Sequence, residues 1–232
     1  MTPQNMVHSA EARWFWEGNQ NDMENVRQWF VNVKGSAFPA KEEKLRVDNY
    51  LIFPACDSVG VKLRGGTKFE VKSLVASPRP FSGLGFQGRT DQWVKWSFEE
   101  KEKDKTKQHL LHLAVLMTNQ DRWLTVNKWR FLRKLDADHG PLQEVDPDAY
   151  PDCGCNIELT RLEVNATTSH WFSFAFEAFG PVARVAQILD EAVPLFLSQQ
   201  TSVAMELGAR NSLSYPAWLA TLTDSGTEQE AR

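Results

Sequence analysis

Lysine and arginine recur two residues apart in stretches whose intervening positions are apolar. Lys62 and Arg64 alternate with Val59, Val61 and Leu63; Glu70 and Lys72 alternate with Phe69 and Val71; Lys128 and Arg130 alternate with Asn127, Trp129 and Phe131. Carboxylates follow the same spacing. Glu11 stands two before Arg13, Asp48 two before Tyr50, and Glu158 and Glu177 lie inside apolar runs, while Lys95 shares its parity with Trp93 and Ser97. On an extended chain, residues two apart share a face. Two arrangements fit this pattern. Each strand wets one face of an antiparallel sheet, or the sheet closes and the charged faces converge on one lumen. In the second arrangement many cations gather away from water, which is costly unless an anion or opposing acids compensate them. Clustered carboxylates invite a divalent cation. Basic walls with a carboxylate cluster suit a metal-chelated polyphosphate.

The elements that must position these residues start from the stretch Val59–Val75, which reads as two strands around Gly65–Gly66. Loop length sets its register, because a one-residue slip turns a strand over. A two-residue loop would put Lys62 opposite Phe69. A three-residue loop, Gly65-Gly66-Thr67, puts Lys62 across from Glu70, Arg64 from Lys68 and Val61 from Val71, and such loops with a left-handed glycine are common. The expectation is a hairpin with one apolar and one densely charged face.

Around it, Ser9–Trp16 reads as a strand with Glu11, Arg13 and Phe15 on one side and Trp14 and Trp16 on the other. Asp22–Phe30 reads as a short helix capped by Asn21 or Asp22. Leu45–Phe53 and Gln92–Phe98 read as strands, Ser77–Thr90 as a loop rich in Pro and Gly, and Glu99–Lys107 as a solvated connection of mixed charge. Leu110–Met117 and Trp123–Lys134 follow as strands, then a loop over Asp136–Cys155, then a hairpin from Ile157–Val164 and Trp171–Phe179. From Val182 to Leu197 the period becomes helical, with Pro194 expected to kink or end the helix. Thr201–Thr221 is a weaker helical region interrupted near Pro216, and a tail from Leu222 is expected to fray. About eight strands followed by helices imply an α+β fold or a closed antiparallel barrel with helices packed outside it.

Composition narrows the class. At 232 residues the chain can bury a substantial core, and 42% hydrophobic with 24% charged residues is ordinary for a soluble globular protein. A formal net charge of −4 argues against a general DNA binder, so any anion site must be local. Nine Trp and fourteen Phe suit sheet faces. Cys56, Cys153 and Cys155 are an odd number without a signal-peptide pattern, which points to a reducing cytoplasm and ordinary thiols. No apolar run is long enough to span a membrane. His109 and His112 flank Leu110–Leu111 and read as structural or surface residues rather than ligands.

The pieces Glu11-Ala12-Arg13, Asp48-Asn49-Tyr50, Lys62-Leu63-Arg64, Glu70-Val71-Lys72, Lys128-Trp129-Arg130, Arg133-Lys134, the late glutamates and Ser214–Leu219 occur in an order and spacing similar to those of a known family. From Ser9 to about Thr221 the chain resembles the CYTH superfamily. These are the triphosphate tunnel metalloenzymes, which include thiamine triphosphatases, inorganic tripolyphosphatases, RNA triphosphatases and class IV adenylyl cyclases. The resemblance implies one domain over residues 1–221, with 222–232 as a tail. It implies an eight-stranded antiparallel tunnel in which Arg13, Lys62, Arg64, Lys72, Lys128 and Arg130 hold phosphates. Glu11, Glu158 and Glu177 would hold Mg²⁺ or Mn²⁺, and Asp48, Tyr50, Glu70 and Lys95 would also line the tunnel. The implied activity is metal-dependent hydrolysis of a triphosphate or polyphosphate.

The chain departs from the family's pattern in three places. Ser9 replaces the first Glu and Arg13 the Lys of the opening Glu-x-Glu-x-Lys, Thr160 follows Glu158, and Ala175 precedes Glu177. Half of each expected carboxylate pair is absent. Three readings therefore stand: a metal-dependent triphosphatase, a tunnel that binds a phosphorylated ligand or polyanion without turnover, and a scaffold whose strand charges are only solvated.

Overall fold

The computed structural model describes residues 6–53, 55–83, 85–99, 105, 108, 109, 112, 115, 122–165, 167, 169–200 and 205–227. Ten strands run in chain order as β1 (Met6–Glu17), β2 (Lys41–Glu42), β3 (Arg46–Leu51), β4 (Val59–Arg64), β5 (Lys68–Gly83), β6 (Phe86–Glu99), β7 (Trp123–Asp136), β8 (Gln143–Val145), β9 (Gly154–Val164) and β10 (His170–Gly180). Three helices lie wholly within the described residues, α1 (Gln20–Val31), α2 (Val185–Ser198) and α3 (Tyr215–Thr227), with a 3₁₀ turn at Ala209–Asn211. Eight of the strands pair in the order β7-β3-β4-β5-β6-β1-β10-β9, and β9 pairs back onto β7. Every pairing is antiparallel. The sheet therefore closes, and the fold is the α+β tunnel expected, with β2 and β8 as short additions beside β7.

The hairpin β4–β5 has the register that charge alternation demanded. Lys62 faces Glu70, Arg64 faces Lys68 and Val61 faces Val71. Gly65 and Gly66 both take positive φ, at 56° and 74°, which a residue with a Cβ adopts only at a cost. Thr67 closes the loop by donating its N–H to the Arg64 carbonyl at 3.2 Å.

Several local expectations are corrected. Asn19 caps α1, accepting from the N–H groups of Asn21 and Asp22, while Asp22 returns a bond to the Asn19 N–H. This is a reciprocal capping box, placed earlier than the expected cap at Asn21 or Asp22. Residues Ser77–Thr90 are not a loop but the outer part of the β5–β6 hairpin, whose two strands turn over near Gly85. Pro78 and Pro80 are tolerated because β5 leaves β4 after Ser73 and becomes an edge strand, with register shifts at Leu74/Ala76 and Ala76/Arg79. The strand expected over Leu110–Met117 lies largely outside the described residues. His112 and Val115 within it, like Lys105 and His109 before it, are helical. Helix α2 runs through Pro194 for one more turn, held by the buried Val193, Phe196 and Leu197 on either side of the proline. Pro216 begins α3 rather than interrupting a helix. Ser214 accepts from the Ala217 N–H at 3.3 Å and its carbonyl from the Trp218 N–H at 2.9 Å, so Pro216 sits in the first turn, where its missing N–H has no intrahelical partner to lose. The helix then continues to Thr227, past the point expected to fray.

Two apolar clusters flank the lumen. The larger joins the outer faces of β1, β9 and β10 to α1 and α2 through Trp14, Phe174, Phe176, Ile157, Phe30 and Phe196. The smaller lies inside the barrel at one end. Phe15, Tyr50, Ile52, Leu124, Val126, Leu162 and Val164 there meet Trp218 and Leu219 of α3. Trp218 is completely buried and stacks on Phe15 at 4.5 Å between ring centroids. Among the described residues no helix is long and apolar enough to cross a membrane.

Candidate anion-binding tunnel

Strand parity carries the charged residues into one cavity of about 120 Å³. Arg13, Lys62, Arg64, Lys72, Lys128, Arg130, Glu11, Glu158, Glu177, Tyr50, Glu70 and Lys95 all line it. Asp48, the remaining candidate, lies directly behind this lining at 0% exposure. Among the described lining residues eight are Lys or Arg and four are carboxylates, so the wall is cationic in a chain whose net charge is −4.

One wall is built from β3, β4, β5 and β7. Arg46 grips Asp48 with two bonds of 3.0 and 3.2 Å, Lys128 approaches the same carboxylate at 3.4 Å and Lys62 at 3.8 Å. Burial alone would raise the Asp48 carboxyl, but Lys128, Lys62 and Arg46 together hold it well below the ordinary range. Lys62 also pairs with Glu70 at 3.0 Å and Arg64 approaches Glu70 at 3.6 Å. Burial opposes ionisation of Glu70 as well, yet Lys62, Lys95 and Arg64 bring its carboxyl down to about 2.

Lys128 stands at the boundary of the charged region. It is 4% exposed, donates to the Tyr50 hydroxyl, and lies 3.9 Å above the Tyr215 ring, which stacks on Tyr50 at 5.4 Å. Burial pushes its ammonium down to about 8, against the upward pull of Tyr50 and Asp48. Lys95, on β6, faces Lys72 across the β5–β6 pair and feels Glu177 and Glu70. Burial lowers its pKa too, with Glu177 opposing and Lys72 reinforcing the shift.

The opposite wall, from β1, β9 and β10, carries the three glutamates. Glu11 and Glu177 are direct cross-strand partners, and Glu158 lies one strand further on, opposite Ala175. All three are engaged by cations of the chain. Lys72 pairs with Glu11 and, at 3.4 Å, with Glu177. Arg130 pairs with Glu158 while its other edge binds Glu43 at 2.8 and 2.7 Å, and Arg13 reaches Glu158 at 3.4 Å. Ser9, which stands where the family pattern has a carboxylate, donates its hydroxyl to Glu11 at 2.9 Å. Despite burial, Arg130 and Arg13 hold Glu158 at about 2, and Lys72 and Lys95 hold Glu177 lower still.

This donor set does not fit a divalent cation. A hard cation needs several oxygen ligands converging on one point, whereas only Glu11 and Glu177 face each other, Glu158 stands opposite Ala175, and each is already paired with Lys or Arg. Among the described residues, the one set of three His, Cys, Asp or Glu donors close enough to chelate is Asp136, Asp138 and His139. It lies in the turn after β7, where Asp138 accepts the N–H groups of Asp152 and Cys153. That cluster caps a turn.

Four contributors escaped sequence reasoning. Arg46 precedes Asp48 by two and was accessible from the same parity. Glu43 enters from the segment before β3, and Tyr215 from a helix, so alternation could not place either. Asp91 faces Glu11 across β1–β6, and burial pushes its carboxyl up to about 6, with Arg89 at 3.2 Å opposing and Glu11 reinforcing the shift.

No protein-family model matches the chain, and no curated protein matches it. Among solved structures, it is similar to the Pct1 RNA triphosphatase of S. pombe in complex with the Spt5 CTD, at 11% identity and a TM-score of 0.38, covering 84% of each chain. A second structure of the S. pombe Pct1 RNA triphosphatase matches at 9% identity and a TM-score of 0.36, over 84% of this chain and 82% of that one. At these values neither assigns a residue or a ligand here. The closed eight-stranded antiparallel tunnel is the architecture expected from the sequence.

Proposed function

We propose that the tunnel binds a small phosphorylated polyanion, a triphosphate or a polyphosphate. The observation that carries this reading is the cationic excess within one enclosed cavity, eight Lys or Arg against four lining carboxylates and the buried Asp48. Cations so enclosed repel one another with little water to screen them, and a multiply charged anion is the partner that relieves the repulsion. Lys62, Arg64, Lys95 and Lys128 would supply the contacts, as charge-assisted bonds to phosphate oxygens. Tyr50 and Tyr215 would hold Lys128 in place, its ammonium seated against their rings.

Metal-dependent hydrolysis through Glu11, Glu158 and Glu177 receives no mechanism from this arrangement, because all three carboxylates are engaged by Lys or Arg and Glu158 stands apart from the other two. Of the readings left open by the sequence, binding without turnover has the better support.

Thermal unfolding with tripolyphosphate tests the proposal. At about 100-fold excess over Kd the stabilisation is about 2.7 kcal/mol, a Tm rise of roughly 5–10 °C for a chain of this size. The Lys62→Ala/Lys128→Ala variant loses most of that rise. No rise in the wild type, or an equal rise in the variant, contradicts the proposal. Phosphate release from tripolyphosphate, thiamine triphosphate and nucleoside triphosphates with Mg²⁺ or Mn²⁺ is expected to stay at background. Release well above background would restore the triphosphatase reading.

A further inference from the structure

We infer that the Lys72 ammonium serves as a built-in counter-ion in the place a divalent cation would take between Glu11 and Glu177, making this tunnel's chemistry toward anions independent of metal. The inference deepens the polyanion reading, since it specifies a metal-free ligand. Its basis is geometric. Glu11 and Glu177 sit side by side on neighbouring strands and point into one lumen. Lys72 reaches them from β5, with β6 between it and β1, and pairs with both. A second carboxylate on β1, which would strengthen the attraction for a doubly charged ion, is missing: the position is Ser9, whose hydroxyl binds Glu11 instead. Glu158 does not complete a ligand set, because Arg130 and Arg13 hold it on the far side of Ala175.

Each part of this arrangement lowers the value of a metal. A divalent ion entering between Glu11 and Glu177 would have to displace a tethered ammonium and then stand beside it, and the further carboxylate facing Glu11, Asp91, is itself paired with Arg89 at 3.2 Å. A polyanion meets the opposite situation. It finds Lys62, Arg64, Lys95 and Lys128 in the same cavity, with the glutamates already neutralised so that they repel it little.

Mn²⁺ titration of the full chain, followed by loss of the free-ion electron paramagnetic resonance signal and without any phosphate present, tests this directly. The wild type is expected to take up no Mn²⁺ at an ordered site. Lys72→Ala, and Lys72→Met as a variant that keeps the apolar stem, release both carboxylates and are expected to bind Mn²⁺ at least about tenfold more tightly than the wild type, the size of effect that one nearby charge exerts. A wild type that binds Mn²⁺ as well as either variant overturns the inference, as do folded variants that bind no more than the wild type. Because no phosphate is present, these outcomes are separate from success or failure of the polyanion proposal. That proposal has its own metal-free arm: tripolyphosphate binding is expected to persist in excess EDTA, and a strict requirement for added Mg²⁺ or Mn²⁺ likewise overturns the counter-ion role.

Discussion

The same lumen-facing positions make two different environments along the tunnel axis. On β1, Glu11 and Arg13 give way to Phe15. On β7, Arg130 and Lys128 give way to Val126 and Leu124, and on β9, Glu158 and Thr160 to Leu162 and Val164. On β3, Asp48 gives way to Tyr50, with Ile52 just past the strand's end. The switches step from strand to strand, Asp48 pairing with Val126 and Lys128 with Leu162, and the charged layer ends against an apolar one, which Trp218 and Leu219 of α3 then plug. Strand geometry is common to both layers, so side-chain chemistry alone separates them. The apolar layer stabilises the barrel by burial, while the charged layer spends stability to hold like charges close, as binding sites generally do.

The comparison can be broken most forcefully at the plug. Trp218→Ala is expected to cost about 3–5 kcal/mol of unfolding free energy, read by urea denaturation. Tripolyphosphate affinity of the folded variant should stay within about threefold of wild type. An affinity loss as large as the stability loss would mean that the layers are not separable.

In the charged layer, Asp48→Asn leaves Arg46, Lys62 and Lys128 without their shared buried carboxylate. Removing one member of such a buried set is expected to cost about 3 kcal/mol, again by denaturation. Here affinity for tripolyphosphate should rise, since the ligand becomes the missing counter-charge. A fall in affinity would show that Asp48 orders the cations more than it competes for them.

A pH series gives a smaller effect with a definite sign. The folded-state pKa of Lys128 is about 8, against an ordinary 10.5. Between these values the folded protein carries fewer protons than the unfolded chain, so this lysine's penalty on folding is full below pH 8 and is relieved as the pH rises toward 10.5. Tripolyphosphate affinity should move oppositely, falling as the pH rises through about 8, and Lys128→Gln should flatten that fall. Glu70 and Glu158, held at about 2 against an ordinary 4.5, act in the acid range. Their contribution to stability is complete above pH 4.5 and is lost as the pH drops toward 2. A binding curve unchanged from pH 7 to 10 would remove Lys128 from the site.

The smallest change concerns the β4–β5 turn. Gly66→Ala, at φ 74°, is expected to cost about 1 kcal/mol in denaturation without altering the ligand Kd.

Much of the charged layer was legible in the sequence because β structure converts spacing into facing with a period of two. Lys62, Glu70, Lys128 and Arg130 followed from parity alone, and loop length fixed how Lys62 and Glu70 meet. The axial switch was less visible. Phe15 shares its parity with Glu11 and Arg13, but one strand cannot show that its neighbours turn apolar at the same height; that depends on registers set by several separate pairings. Tyr215 was hidden for another reason, since it reaches the lumen from a helix whose place depends on Ser214 capping and on close packing of Pro216 against Gly60. The Ser77–Thr90 segment misled because its prolines mark an edge strand as readily as a loop. The neutralised state of Glu11, Glu158 and Glu177 depends on Lys72 reaching past β6 and on Arg130 of the paired strand β7, placements that spacing along the chain does not encode.

Calorimetric titration of the full chain with tripolyphosphate, in EDTA and at two salt concentrations, tests the central claim most directly. Binding through the charged layer predicts saturable one-to-one association that weakens steeply with salt and disappears in Lys62→Ala/Lys128→Ala. Absence of saturable binding, or the same affinity in that variant, would contradict it.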